Sequence, residues 1–149
     1  MDLTAVHRDA LVSIARQLAE HHHRGQVDKA GDPYLGHVCR VAEAVVPQEP
    51  EFVAAALLHD ILEDTAATPA DLAAAGIPDV VVEAVVILTK TGGPLDDYYA
   101  RVRTNPIALA VKIADVADNS DPHRLAQLEP EVRDRLTRKY AKAVAALTH

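Results

Sequence analysis

Residues 52–58, Phe-Val-Ala-Ala-Ala-Leu-Leu, are apolar at every position, and the run His59-Asp60-Ile-Leu-Glu63-Asp64-Thr65 follows directly. A helix apolar on all sides belongs in the centre of a domain, so residues 52–65 are predicted as one central helix that turns polar at its end. Residues 107–119 repeat the theme, an almost wholly apolar helix ending in Asp115, Asp118 and Asn119. The other segments are amphipathic, with apolar positions three and four apart. Residues 4–23 place Val6, Leu11, Ile14, Ala15, Leu18 and Ala19 on one face, with Thr4 as cap and Gly25 as stop. From His37, a second helix carries Val38, Val41, Ala42, Val45 and Val46 as far as Pro47. Thr68-Pro69 opens a short helix that stops at Gly76, and Pro78 opens another through Leu88. The valines of that helix would suit a strand, but no partner strand is evident elsewhere. Residues 96–103 form a short helix, and a brief piece through Leu128 leads to the last, residues 130–147. There Val132, Leu136, Tyr140, Val144 and Leu147 are expected to face inward. The prediction is an all-α, single-domain bundle over residues 1–149, without repeats or linkers.

The polar end of the central helix raises an electrostatic problem. Spacing puts His59 one turn from Glu63 and Asp60 one turn from Asp64. Buried charge needs a partner or a cation, and nothing basic in the neighbouring sequence neutralises these carboxylates. A metal ion is the simplest compensation; acids that merely point at solvent are the plain alternative. Further donors lie at His37, in the first turn of its helix, and at Asp115. Two imidazoles and two carboxylates suit Mn, Fe, Co, Ni or Zn with positions left open for water, which is catalytic rather than structural ligation. Spacing alone does not bring the four together.

Composition narrows the classes. The chain has 149 residues, 49% hydrophobic and 25% charged, enough for one globular core. No apolar run is long enough for a bilayer span, and the first residues lack the basic start and apolar core of a signal peptide, so the expected location is cytoplasmic. Cys39 is the single cysteine, which excludes an intrachain disulfide, and its apolar helical context predicts a core position. A net charge of −7 and 3% aromatic residues argue against nucleic acid as a partner. His21, His22 and His23 are consecutive, but neighbours on a helix point about 100° apart and cannot share one ion. His21 and His22 are read as solvated helix-end residues, with His23 left open.

His37, the pair His59-Asp60 and distant Asp115 resemble the H…HD…D signature of the HD-domain metal-dependent phosphohydrolases. The chain is more closely similar to the hydrolase domain of the RelA/SpoT enzymes and to the stand-alone small alarmone hydrolases of the metazoan Mesh type. The likeness rests on Gly25-Gln26, Lys29, residues 31–34, His37, residues 55–65, Thr89-Lys90 and residues 111–119. It implies a compact all-α HD domain with a metal site between the central helices. It further implies Mn²⁺, or another divalent transition metal, held by His37, His59, Asp60 and Asp115, and removal of pyrophosphate from the 3′ position of ppGpp or pppGpp. By the same resemblance Glu63 and Asp64 position or activate the attacking water, Lys29 meets the phosphates, Asn119 the nucleoside, and Thr89 and Lys90 the pocket rim. The lack of a synthetase segment implies a hydrolase-only member, with room for homo-oligomerisation.

Three positions depart from the family's pattern toward negative charge. Asp28 stands where an arginine usually helps hold the nucleotide, Asp118 where histidine is common, and Asp121 where arginine is common. A carboxylate at residue 28 is expected to weaken nucleotide binding. Two other readings therefore stand beside the alarmone hydrolase: an HD phosphohydrolase for another nucleotide or phosphate ester, and a non-catalytic metal- or nucleotide-binding regulatory module. Retention of both Glu63 and Asp64 counts against the module.

Overall fold

A computed structural model describes residues 3–148, with side chains from Asp9 onward. The elements are α1 (Leu3–His22), α2 (Tyr34–Ala44), α3 (Pro50–Leu58), α4 (Ile61–Asp64), α5 (Pro69–Ala74), α6 (Asp79–Leu88), α7 (Leu95–Arg103), α8 (Pro106–Asn119), α9 (Pro122–Leu125) and α10 (Pro130–Leu147). The described residues contain no strand, only an isolated bridge between Val27 and Pro33. None of their helices is long and apolar enough to cross a membrane.

The punctuation of the chain explains the helix boundaries. Thr68 and Asp71 form a reciprocal capping box at α5, with Asp71 N–H on the Thr68 hydroxyl and Thr68 N–H on the Asp71 carboxylate. Asn105 caps α8 by accepting from Ala108 N–H at 2.9 Å, and Pro106 follows at the first helical position. Past the end of α1, Gly25 adopts a φ of 81°, a left-handed conformation open to glycine at little cost. Since α1 already includes Leu3, Thr4 lies within it rather than capping it. The side chains of Thr4 and Val6 are outside the described part.

Layering follows from burial. Ala54, Ala55, Ala56 and Leu58 of α3 are fully enclosed, and α3 packs against α1, α2, α6 and α8. In turn α8 packs against α2, α3, α6, α7 and α10. The two apolar helices are thus the central pair, and their polar ends meet.

Three expectations need correction. The predicted continuous helix over 52–65 is broken: α3 ends at Leu58, His59 and Asp60 form a turn, and α4 restarts at Ile61. An unbroken helix would carry Asp60, Glu63 and Asp64 at its negative C-terminal end; restarting puts both acids of α4 in its first turn. On α10 the inward stripe is Leu136, Tyr140, Ala143 and Leu147, while Val144 is 48% exposed. The stripe keeps the three-and-four spacing but selects small Ala143 where the helix lies close to its neighbours. Cys39 is only half-buried, at the margin of the core.

Leu58→Ala should lower unfolding free energy by about 2–5 kcal/mol, as a buried leucine whose cavity cannot fully collapse. Val144→Ala should change it by less than about 0.5 kcal/mol. Urea denaturation followed by circular dichroism distinguishes the two.

Candidate metal centre and its cavity

The break between α3 and α4 turns His59 and Asp60 toward α8 and α2. One ligand atom from each of His37, His59, Asp60 and Asp115 lies within 4.8 Å of the others. His37 Nε2 is 2.9 Å and His59 Nε2 3.3 Å from Asp115 Oδ1, and His59 Nε2 is 3.0 Å from Asp60 Oδ2. His37, His59 and Asp115 are all buried. The four residues come from α2, the α3–α4 turn and α8.

The outer hydrogen bonds suit ligation. His59 Nδ1 faces the Ala56 carbonyl at 2.6 Å, and His37 Nδ1 faces Asp118 Oδ2 at 2.7 Å. Both partners only accept, so each ring donates from Nδ1 and, when neutral, leaves a bare Nε2 for a cation. Arg40 clasps Asp118 through Nε at 2.8 Å and Nη2 at 3.2 Å, which fixes the carboxylate behind His37. Tyr34 donates its hydroxyl to Asp60 Oδ2. With donors of this kind, oriented from behind and converging on one point, the cluster is a candidate divalent-metal site.

Charge balance without an ion has a clear direction. Burial disfavours the imidazolium of His59, but Asp60 and Asp115 outweigh it and hold the group well above its ordinary range. Burial likewise opposes ionisation of Asp115, yet His59 and Lys112 keep it well below the usual carboxylate range. Asp60 is held at about 2, burial being outweighed by His59. Binding of a divalent ion at these groups would therefore be coupled to release of protons.

The cluster opens through Asp60 and Asp115 into a cavity of about 350 Å³. Glu63 and Asp64 line it, each with one oxygen held: Lys90 N–H donates to Glu63 Oε1 at 2.8 Å, and Gln26 Nε2 to Asp64 Oδ2 at 3.2 Å. Lys29, Lys90, Lys112 and Lys139 line the same space. Lys112 is bound to Asp115 Oδ2 at 3.0 Å; among the described residues the other three have no carboxylate within 4.0 Å. Burial lowers Lys90, and Lys112 and Lys139 lower it further; Lys139 is lowered by burial and then by Lys29 and Lys112. Mutual repulsion of this kind marks a wall of converging cations.

Most of the residues singled out from sequence reach this site. Asn119 lines the cavity and donates to Asp115 Oδ1 at 3.0 Å. Thr89 does not line it; its hydroxyl donates back to the Val85 carbonyl at 2.8 Å, ending α6. The expected penalty at Asp28 is offset within the fold. Its Oδ2 accepts from Arg124 at 2.8 Å and its Oδ1 from Ala30 and Asp32 N–H, so its charge is already paired at the cavity wall. Asp118 is consumed by His37 and Arg40, and Asp121 does not line the cavity. Sequence reasoning missed Lys112, Arg124, Lys139 and Tyr140 as cavity residues. Only Lys112 carried a signal, as the lone cation in an apolar helix three residues before Asp115. His21 and His22 lie at the end of α1 away from the cluster, whereas His23 is buried.

Chelator-stripped protein should take up a divalent ion in isothermal titration calorimetry. His59→Ala and Asp115→Ala should abolish uptake, while Asp118→Asn, acting from behind His37, should weaken it about 10–100-fold. Unchanged affinity in Asp118→Asn would remove the orienting role.

Comparison with known proteins places this geometry. The family model described as "HD domain" matches residues 15–91, which include His37, His59 and Asp60. A probable GTP pyrophosphokinase of Mycobacterium leprae is 29% identical over 99% of this chain and 21% of its own length. The guanosine-3′,5′-bis(diphosphate) 3′-pyrophosphohydrolase of Haemophilus influenzae is 26% identical over 89% and 21%. The chain spans about a fifth of the length of these curated relatives. Among solved structures, one described as a metazoan ortholog of SpoT that hydrolyzes ppGpp matches with a TM-score of 0.77 and 27% identity, over 93% of this chain and 85% of that one. With more than half of its length matched by the family model, and with homology to RelA/SpoT hydrolases running through nearly all of it, the chain belongs to the HD-domain family.

Proposed function

We propose that the chain is a Mn²⁺-dependent hydrolase that removes pyrophosphate from the 3′ position of guanosine 3′,5′-bis(diphosphate) or its 5′-triphosphate analogue. The observation that carries this reading is a single cavity lined by two unlike sets of groups. The His37, His59, Asp60 and Asp115 cluster reaches it through Asp60 and Asp115, beside Glu63 and Asp64, and Lys29, Lys90, Lys112 and Lys139 line the same space. A nucleotide phosphorylated at two separated positions complements both sets at once. The substrate of the metazoan structural match supports the same choice. A cytoplasmic setting is consistent with such a small, soluble nucleotide.

A bound divalent ion supplies charge stabilisation at the phosphoryl oxygens and acidifies the attacking water. The side chains do the rest. Glu63 and Asp64 line the cavity and each has one oxygen tied by an N–H, which leaves the other to accept the water's proton. The water oxygen bonds to the phosphorus esterified to the 3′ oxygen and the P–O3′ bond breaks. The nucleoside 3′ oxygen then takes up a proton as pyrophosphate departs. Lysine ammonium groups lining the same cavity hold the remaining phosphates and bring the reacting ester to the acids. Pairing of Asp28 with Arg124 weakens the case for a different nucleotide, since the pocket does not carry an unbalanced negative charge there.

Stripped protein incubated with ppGpp should release GDP and pyrophosphate on chromatography only after Mn²⁺ is restored. Absence of product with Mn²⁺ demonstrably bound would overturn the substrate assignment. Glu63→Gln should keep the metal and lower kcat about 10²–10⁴-fold, as expected for loss of a proton acceptor; normal turnover in that variant would sink its role.

A further inference from the structure

His23 is the one buried side chain among the described residues with a nitrogen that has no partner. The ring is 2% exposed, and its Nε2 meets no hydrogen-bonding atom. Its Nδ1 is 2.8 Å from Gln26 Oε1. The other end of the same carboxamide, Nε2, donates to Asp64 Oδ2 at 3.2 Å. Because an ionised carboxylate only accepts, the amide must turn its NH₂ toward Asp64 and its oxygen toward His23. The ring must then donate from Nδ1, and in the neutral ring the orphaned Nε2 is the bare nitrogen. The three side chains form a directed chain, His23 N–H to Gln26, Gln26 N–H to Asp64.

An unpartnered buried acceptor carries a desolvation penalty that a phenylalanine or leucine in the same space would avoid. The His23 ring lies 5.2 Å from that of Tyr34, so apolar packing could have filled the site without a nitrogen at all. What only the imidazole offers is the Nδ1 hydrogen. The turn that presents it is held rigidly. Gln26 N–H donates to the His23 carbonyl at 3.0 Å, and the Gln26 carbonyl accepts from Tyr34 N–H at 2.9 Å. Tyr34 in turn reaches Asp60. One short segment after α1 thus touches both the metal cluster and the acidic pair.

We propose that His23 is a positioning residue that acts through Gln26. By locking the Gln26 carboxamide it immobilises Oδ2 of Asp64, a residue that lines the cavity, and leaves Oδ1 for the attacking water. This rests on the assignment of Asp64 as proton acceptor in the hydrolase reading. His23 itself touches neither substrate nor metal, so its effect falls on turnover rather than on binding.

The test uses the full-length, Mn²⁺-loaded chain with ppGpp. His23→Phe should lower kcat about tenfold with KM and metal content within about twofold, the size expected when a reacting group loses its alignment. His23→Asn, whose amide nitrogen falls near the position of Nδ1, should recover most of that loss. In an Asp64→Asn background, His23→Phe should cost nothing further, because the group it aligns is already gone. An equal loss in both backgrounds, or an unchanged kcat in His23→Phe, would overturn the proposal. Nitrogen-15 NMR provides a readout that needs no turnover: the His23 ring should be the Nδ1–H tautomer, and the Gln26 side-chain NH₂ signals should shift in Asp64→Asn. An Nε2–H tautomer or unmoved signals also overturn it. Wild-type protein inert toward ppGpp would refute the substrate reading alone, and the NMR result would still decide the relay.

Discussion

Asp115 is the carboxylate on which the rest of the site depends. It is 4% exposed, and its two oxygens receive His37 from α2, His59 from the α3–α4 turn, and both Lys112 and Asn119 from its own helix. A buried anion with fewer partners would cost several kcal/mol. With them it acts as the point where three helices are pinned together. The same convergence of two imidazoles and two carboxylates is a donor set suited to a divalent ion.

The break after Leu58 follows from that requirement. Continuous helix from Phe52 to Thr65 would satisfy more backbone hydrogen bonds, but it would leave Asp60, Glu63 and Asp64 facing a helix C-terminus. The turn at His59-Asp60 gives up regularity and gains convergence: these two side chains meet Asp115 of α8 and each other, and the following acids line the cavity. Asp60, placed at the N-cap of α4, makes no capping bond because its carboxylate is engaged by His59 and Tyr34. Local helix stability is given up for the geometry of the site.

Charge elsewhere is arranged so that an acidic protein carries a cluster of cations at its cavity. The chain carries a net charge of −7, yet four lysines face the cavity. Lys112 is paired with Asp115, whereas Asp28 is taken up by Arg124 and Asp118 by Arg40 and His37, which leaves Lys29, Lys90 and Lys139 without a carboxylate within 4.0 Å among the described residues. The Asp28 and Asp118 pairs join segments far apart in sequence, so a carboxylate that looks unbalanced in isolation is paired in context. The Asp28–Arg124 pair also fastens the loop that carries Lys29 to α9.

Apolar periodicity determined the helical fold, and proline, glycine and capping residues placed most boundaries, because these act over a few neighbouring residues. The candidate metal ligands were legible as well, since His37, His59, Asp60 and Asp115 are polar groups set in otherwise apolar segments, and matched a known signature in order. Tertiary structure alone decided what depends on distant partners. It broke the central helix, turned Val144 outward, withdrew Thr89 from the cavity and paired Asp28 with Arg124 across 96 positions. It also brought Lys139 to the cavity and oriented His23 toward Asp64 through Gln26. The physical reason is common to these cases: backbone propensity is local, whereas the energy of a buried charge is set by whichever groups the packed helices bring within a few ångströms.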